Sequence, residues 1–256
     1  MQEKPKLGVF KFSSCDGCQL TLLDAEEELA AILRKVELRD FLEATSVSSG
    51  PPYDVALVEG SVSTPEEVER VVRIRRESKM LVALGACATS GGLQALRNWG
   101  KLGQFESSVY PEPRTARALE MSLPISDFVE VDFELKGCPV SKAQLLQFFA
   151  LVTRGAKPRF PSGAVCFECK RSGAPCLVVA SKTLCLGPVT SAGCGAICPT
   201  HGRGCYGCFG PSDDANLDSY ASWLEAHGFD RPTIGLLVKG ANSRSPEFRR
   251  WLEKNG

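Results

Sequence analysis

Twelve cysteines punctuate this chain of 256 residues, and thiols in such number either pair as disulfides or bind metal. Four are spread through the first half. Cys15 and Cys18 form a C-x-x-C pair, Cys87 follows Gly85-Ala86, and Cys138 stands between Gly137 and Pro139. The other eight crowd between Cys166 and Cys208, a density that side-chain packing alone does not explain. In order they read as Cys166, Cys169, Cys176 and Cys185, then Cys194, Cys198, Cys205 and Cys208. An interleaved zinc ribbon, with Cys166-x-x-Cys169 and Cys205-x-x-Cys208 as its knuckles, is the alternative pairing; it uses four thiols and orphans four. A thioredoxin-like redox pair accounts for Cys15 and Cys18, but leaves Cys87 and Cys138 unexplained. Three sets of four thiols match the ligand demand of three [4Fe–4S] clusters.

The residues around the thiols suit that chemistry. Gly17 lets the backbone approach closely, and Gly85, Gly91, Gly92 and Gly137 leave room for inorganic sulfide. Cys198-Pro199 has the form of a ferredoxin-type ligand followed by a turn. His201 lies near a set that is already complete, so it is expected to face solvent or to sit behind the ligands. Asp16 and Glu59, near the first set, are expected to be solvated or interface carboxylates, with a proton path as the other role. Gly202-x-Gly204-x-x-Gly207 spells a dinucleotide fingerprint, but no strand precedes it and cysteines interrupt it, so it is discarded.

These ligands need elements to bring them together. Leu7, Val9 and Phe10 predict a strand, and Leu22, Ala25, Leu29 and Ile32 recur at helical spacing after it. Buried strands are predicted at 54–59, 80–86 and 128–135, and a helix is predicted to start at the Thr64-Pro65-Glu66-Glu67 capping box. Ser141 opens another helix that runs to about Val152. This β-α-β-α order predicts an α/β fold, a flavodoxin-like parallel sheet with helices on both faces. Cys15, Cys18, Cys87 and Cys138 then all fall near the carboxyl ends of strands, where such sheets bind ligands. The domains are set at 1–155, holding that first set, and 156–256, a small irregular cysteine-rich domain. The second is poor in apolar runs and is expected to depend on metal to fold. Two helices, 213–226 and 246–254, are predicted to close it.

Composition excludes several classes. Lys+Arg and Asp+Glu both number 30, so nothing favours nucleic acid or an anionic membrane surface as a partner. No apolar run is long enough to span a bilayer, and MQEKPKLGVF is not a secretory leader. A cytoplasmic setting, where thiols stay reduced, is expected, and it favours metal over disulfides.

With Ser14-Cys15-Asp16-Gly17-Cys18-Gln19, Gly85-Ala86-Cys87-Ala88, Gly137-Cys138-Pro139, Cys185-Leu186-Gly187-Pro188 and Cys205-Tyr206-Gly207-Cys208 in order, the chain resembles the small subunits of [NiFe]-hydrogenases. The nearest type is the cytoplasmic bidirectional one that includes sulfhydrogenase delta subunits. The resemblance implies a proximal cluster on Cys15, Cys18, Cys87 and Cys138, beside the nickel–iron centre of a separate large subunit. It implies a distal cluster on Cys166, Cys169, Cys176 and Cys185, and a medial cluster on Cys194, Cys198, Cys205 and Cys208. Membrane-bound relatives carry a histidine where Cys166 stands and commonly a three-cysteine medial site, so three all-cysteine clusters and lower potentials are expected here. The spaced Cys15 and Cys18 depart from the adjacent cysteines of the respiratory complex I subunit. The expected role is an electron relay, with no bond-breaking residue of its own, from the large subunit to a diaphorase or another iron–sulfur or flavin subunit serving NAD(P). The small subunit of an F420-non-reducing hydrogenase coupled to heterodisulfide reductase is the alternative within the family; a zinc-stabilised interaction module is the alternative outside it.

Overall fold

The computed structural model describes residues 3–110, 117–160 and 162–255. They fall into two compact units, Met1–Arg159 and Phe160–Gly256.

The first unit is a five-stranded parallel sheet in the order β2-β1-β3-β4-β5. Its strands are β1 (Lys6–Lys11), β2 (Glu37–Phe41), β3 (Tyr53–Glu59), β4 (Ser78–Leu84) and β5 (Phe133–Leu135). The helices between or after them are α1 (Gly17–Leu23), α2 (Glu26–Leu33), α3 (Pro65–Glu77), α4 (Gly85–Ser90), α5 (Leu102–Val109) and α6 (Lys142–Val152). The central strands are apolar on both faces, as strands covered on both sides must be. On one face Ala56, Val58, Leu81 and Ala83 pack with Phe10 and Phe12 against Val71 and Ile74 of α3. Alternation along the strand sends Leu57, Val82 and Leu84 to the other face, where they are also fully buried. Phe148 of α6 stacks on Phe133 of β5, with ring centroids 5.7 Å apart. The α3 start is a complete capping box: Thr64 Oγ1 accepts from Glu67 N (3.2 Å) and Glu67 Oε2 accepts from Thr64 N (3.2 Å).

Several elements differ from the sequence expectation. The helical pattern from Leu22 to Ile32 is two helices, broken at Asp24-Ala25, and Glu26, the first residue of the second, takes a positive φ of 42°. The strand expected at 128–135 pairs only over Phe133–Leu135, since Ile125–Asp127 form a 3-10 turn that sends Ile125 into the core. The strand expected to run to Ala86 stops at Leu84, and Gly85, at φ +81°, turns the chain into α4. Cys87 therefore sits on a helix rather than at a strand end. The edge strand β2, ELRDF, shows no apolar run because three of its five residues are only half-buried.

The second unit holds α7 (Val165–Arg171), α8 (Leu177–Ser181), α9 (Ile197–Thr200), α10 (Leu217–Ala226), α11 (Arg231–Val238) and α12 (Pro246–Asn255). Three helices close it rather than two. The additional one, α11, starts where Asp230 accepts from Thr233 N (2.9 Å), and carries Pro232 in its first turn. Leu224, Ile234, Phe248 and Leu252 of these three helices are at most 1% exposed. The shortage of apolar surface expected for the whole second half is thus confined to the cysteine-rich stretch before α10. Among the described residues no helix is long and apolar enough to cross a membrane.

Candidate metal centres

The first set is brought together by the segments that follow β1 (Cys15 and Cys18), β4 (Cys87, on α4) and β5 (Cys138). β1 and β3 stay joined beyond the strands: Phe12 N donates to Glu59 O (2.7 Å) and Ser13 N to Ser61 O (3.1 Å). This fixes the turn carrying Cys15 and Cys18. The Ala86 amide donates to Gly137 O (2.8 Å), tying the start of α4 to the loop of Cys138. Gln94 crosses between loops, with Nε2 donating to Ser13 O (2.9 Å) and Oε1 accepting from the Cys87 thiol (3.3 Å). A Cβ on Gly85 would collide with Cys18 Sγ, and one on Gly92 with Cys87 Sγ. Both glycines also hold positive φ, so the sulfurs stand where only glycine permits them.

Burial pushes the Cys18 thiol far up, and Glu59 and the neighbouring Cys87 and Cys138 push it further. Burial raises Cys87 to about 11, with Cys138 and Cys15 adding to it. Burial and Cys15 raise Cys138. Thiols that raise one another in this way cannot all ionise without a compensating cation. A cationic iron–sulfur core would fit such a donor set, and the thiols would give up their protons to hold it.

In the second unit Cys166, Cys169, Cys176 and Cys185 line one cavity of about 400 Å³. Its other walls include Leu177, Val178, Pro188, Tyr220 and Trp223. Cys166 and Cys169 project from α7, Cys176 caps α8, and Cys185 precedes the turn Gly187–Val189. A Cβ on Gly187 would stand 3.3 Å from Cys185 Sγ and 3.4 Å from Cys166 Sγ. Burial raises the Cys166 thiol to about 11, with Cys185, Cys169 and Cys176 adding to it. Tyr220 donates its hydroxyl to the Cys185 carbonyl (2.6 Å). The Cys185 sulfur accepts from the amides of Cys205 (3.1 Å) and Gly187 (3.4 Å).

Of the last four cysteines, Cys205 and Cys208 are neighbours, and burial raises Cys205 to about 12. The loop after Cys205 is pinned by buried Asn242, whose Nδ2 donates to Gly207 O and Cys208 O (both 2.9 Å). Cys198 lies on α9, and Cys194 lies in the loop before it. Among the described residues no three Cys, His, Asp or Glu side chains converge tightly enough to hold a single metal ion.

Glu59 departs from expectation. It is 2% exposed, and its two oxygens accept from Cys18 N and Gln19 N (both 3.1 Å), so it holds the start of α1. Burial raises its carboxyl, against the pull of those amides. Asp16 is half-buried and paired with Lys11. His201 is exposed, its Nδ1 2.9 Å from the carbonyl of Ile197. Gly202 and Gly204 lie in a turn and coil, with no strand before them. Sequence reasoning missed Gln94 and Tyr220, whose spacing from the cysteines carries no motif.

The family model described as NADH ubiquinone oxidoreductase, 20 Kd subunit, matches residues 15–152. Sulfhydrogenase 2 subunit delta of Pyrococcus furiosus is 40% identical over 212 residues, covering 83% of this chain and 89% of that protein. An F420-non-reducing hydrogenase (vhu) subunit of Methanococcus voltae is 30% identical, covering 87% of each. A solved chain of an NAD+-reducing [NiFe]-hydrogenase superposes with a TM-score of 0.58 at 30% identity, over 62% of this chain and 96% of its own. By fold, motif order and likeness over most of its length, this chain belongs to the NADH ubiquinone oxidoreductase 20 kDa subunit family and, within it, to the small subunits of hydrogenases.

Proposed function

We propose that the chain is the electron-relay subunit of a [NiFe]-hydrogenase, holding three [4Fe–4S] clusters. The observation that carries this is the convergence of Cys166, Cys169, Cys176 and Cys185 on one cavity, in a chain with two further sets of four thiols. Cys15, Cys18, Cys87 and Cys138 are the proximal ligands, on the first unit. Cys194, Cys198, Cys205 and Cys208 are the medial ligands and Cys166, Cys169, Cys176 and Cys185 the distal ones, on the second. The clusters supply one-electron transfer at low potential. The protein supplies thiolates, amide donors to sulfur and apolar walls, which tune that potential through burial and hydrogen bonding. The partners are a nickel–iron large subunit and an NAD(P)-linked diaphorase, in the cytoplasm.

Likeness to the F420-non-reducing hydrogenase of Methanococcus voltae supports a second reading, in which heterodisulfide reductase takes the electrons instead. Anaerobic isolation of the native complex distinguishes them: a flavin subunit that reduces NAD(P) supports the first, and a copurifying heterodisulfide reductase supports the second. Iron and acid-labile sulfide in equal amounts, with signals from reduced clusters after exposure to hydrogen, are expected in both. Stoichiometric zinc without sulfide would sink the relay and leave an interaction module.

A further inference from the structure

Two side chains on the framework of the second cysteine set, Glu168 and Cys185, accept from the backbone of the third, and Leu186 N donates to Cys205 O (2.9 Å). Glu168 lies between Cys166 and Cys169 on α7. Its Oε1 accepts from Gly193 N (3.0 Å) and its Oε2 from Gly195 N (3.1 Å), so one carboxylate straddles Cys194. The loop it holds is unusual. Gly193 (φ 135°), Gly195 (69°) and Ala196 (53°) all have positive φ, and Ala196 does so with a Cβ. For Ala196 such a conformation costs free energy and persists only when its surroundings fix it. On the other side of the third set, the Cys205 amide donates to Cys185 Sγ (3.1 Å).

The second set draws one bond in return, the Cys205 amide on Cys185 Sγ, and otherwise has supports of its own. Its four thiols line a cavity walled by α7, α8, Tyr220 and Trp223; from the segment of the third set Pro199 of α9 reaches it, but none of its cysteines lines it. Tyr220 steadies Cys185 through its carbonyl.

We propose that the second set is the template on which the third is organised, and that Glu168 is the positioning residue that enforces the order. With the second set in place, α7 presents the Glu168 carboxylate to the Cys194 loop and Cys185 presents its sulfur to the Cys205 amide. Without it, the loop 193–196 relaxes and the third set loses its geometry. The proposal rests on both sets being iron–sulfur centres.

The test uses the hydrogenase complex isolated anaerobically, with iron, acid-labile sulfide and the spectrum of the reduced clusters as readouts. Each signal is assigned with single-cysteine variants. Glu168→Ala is expected to lose one third of the iron and sulfide, with the signals of the first and second sets kept. Glu168→Gln keeps one acceptor oxygen and turns an NH2 group toward the other amide, so its loss is expected to be partial. Cys166→Ser with Cys169→Ser is expected to lose two thirds, and Cys194→Ser only one third. Full iron in Glu168→Ala, loss of the second set in that variant, or loss of only one third in the Cys166/Cys169 double variant would each overturn the template. Unaltered protein without iron and sulfide would instead refute the relay itself.

Discussion

Gly85 and Gly92 show how tightly the first set of thiols is framed, since each combines a positive φ with a Cβ direction that points into a cysteine sulfur. Gly85→Ala or Gly92→Ala is therefore expected to displace Cys18 or Cys87. On the proposed three clusters, iron analysis of the anaerobic protein should show the loss of one third of the iron, with the signals of the second unit kept. The cysteines and glycines are legible in the sequence because their identities carry the chemistry directly. Glu59, Glu168 and Gln94 are not. Glu59 serves the amide of Cys18, 41 residues earlier, and Glu168 serves Gly193, 25 residues later. A backbone amide leaves no letter in the sequence to mark the partner, so such carboxylates read as ordinary solvated charges.

At the scale of elements, the β3-α3-β4 segment is the most readable, because its capping box and two apolar runs are local signals. Thr64→Ala removes the Oγ1 acceptor at Glu67 N and is expected to cost about 1 kcal/mol, measurable as a lowered midpoint in denaturant unfolding. Asp132 closes the far end of the same segment, accepting from Leu81 N (2.7 Å) and pairing with the Arg75 guanidinium. Burial pushes its carboxyl up, but the Arg75 and Leu81 hydrogen bonds outweigh this and hold it below the usual carboxylate range. A depressed folded-state pKa contributes stability above the unfolded value, and that contribution is lost as pH falls through the folded one. Asp132→Asn should thus destabilise the protein at neutral pH, and the difference from the unaltered chain should vanish in acid; an unchanged gap at low pH would refute the assignment. β2 and β5 are hard to read for a physical reason. An edge strand needs only one apolar face, and a three-residue strand is too short to show a period.

For the whole molecule, the two units differ in how their apolar surface is distributed. The first unit fills its core with Leu57, Val58, Leu81 and Val82, all fully buried. The second divides between the apolar packing of α10, α11 and α12 and the cysteine-rich stretch before them. Removing metal with a chelator under reducing conditions is expected to open residues 160–211 to protease, while the first unit and the three closing helices stay resistant. Uniform resistance would show that the thiol-rich stretch folds unaided. The α11 helix escapes a reading by pattern because RPTIGLLV is short and follows the Gly-Phe-Asp turn without an apolar run before it. Within the first two sets one thiol each is exposed, Cys15 and Cys176, while Cys18 and Cys185 are buried. On the proposed clusters these two thiols are the most open ligands, so in the isolated chain oxidants and competing thiols should attack iron there first, and the order of decay under air should follow the depth of the ligands.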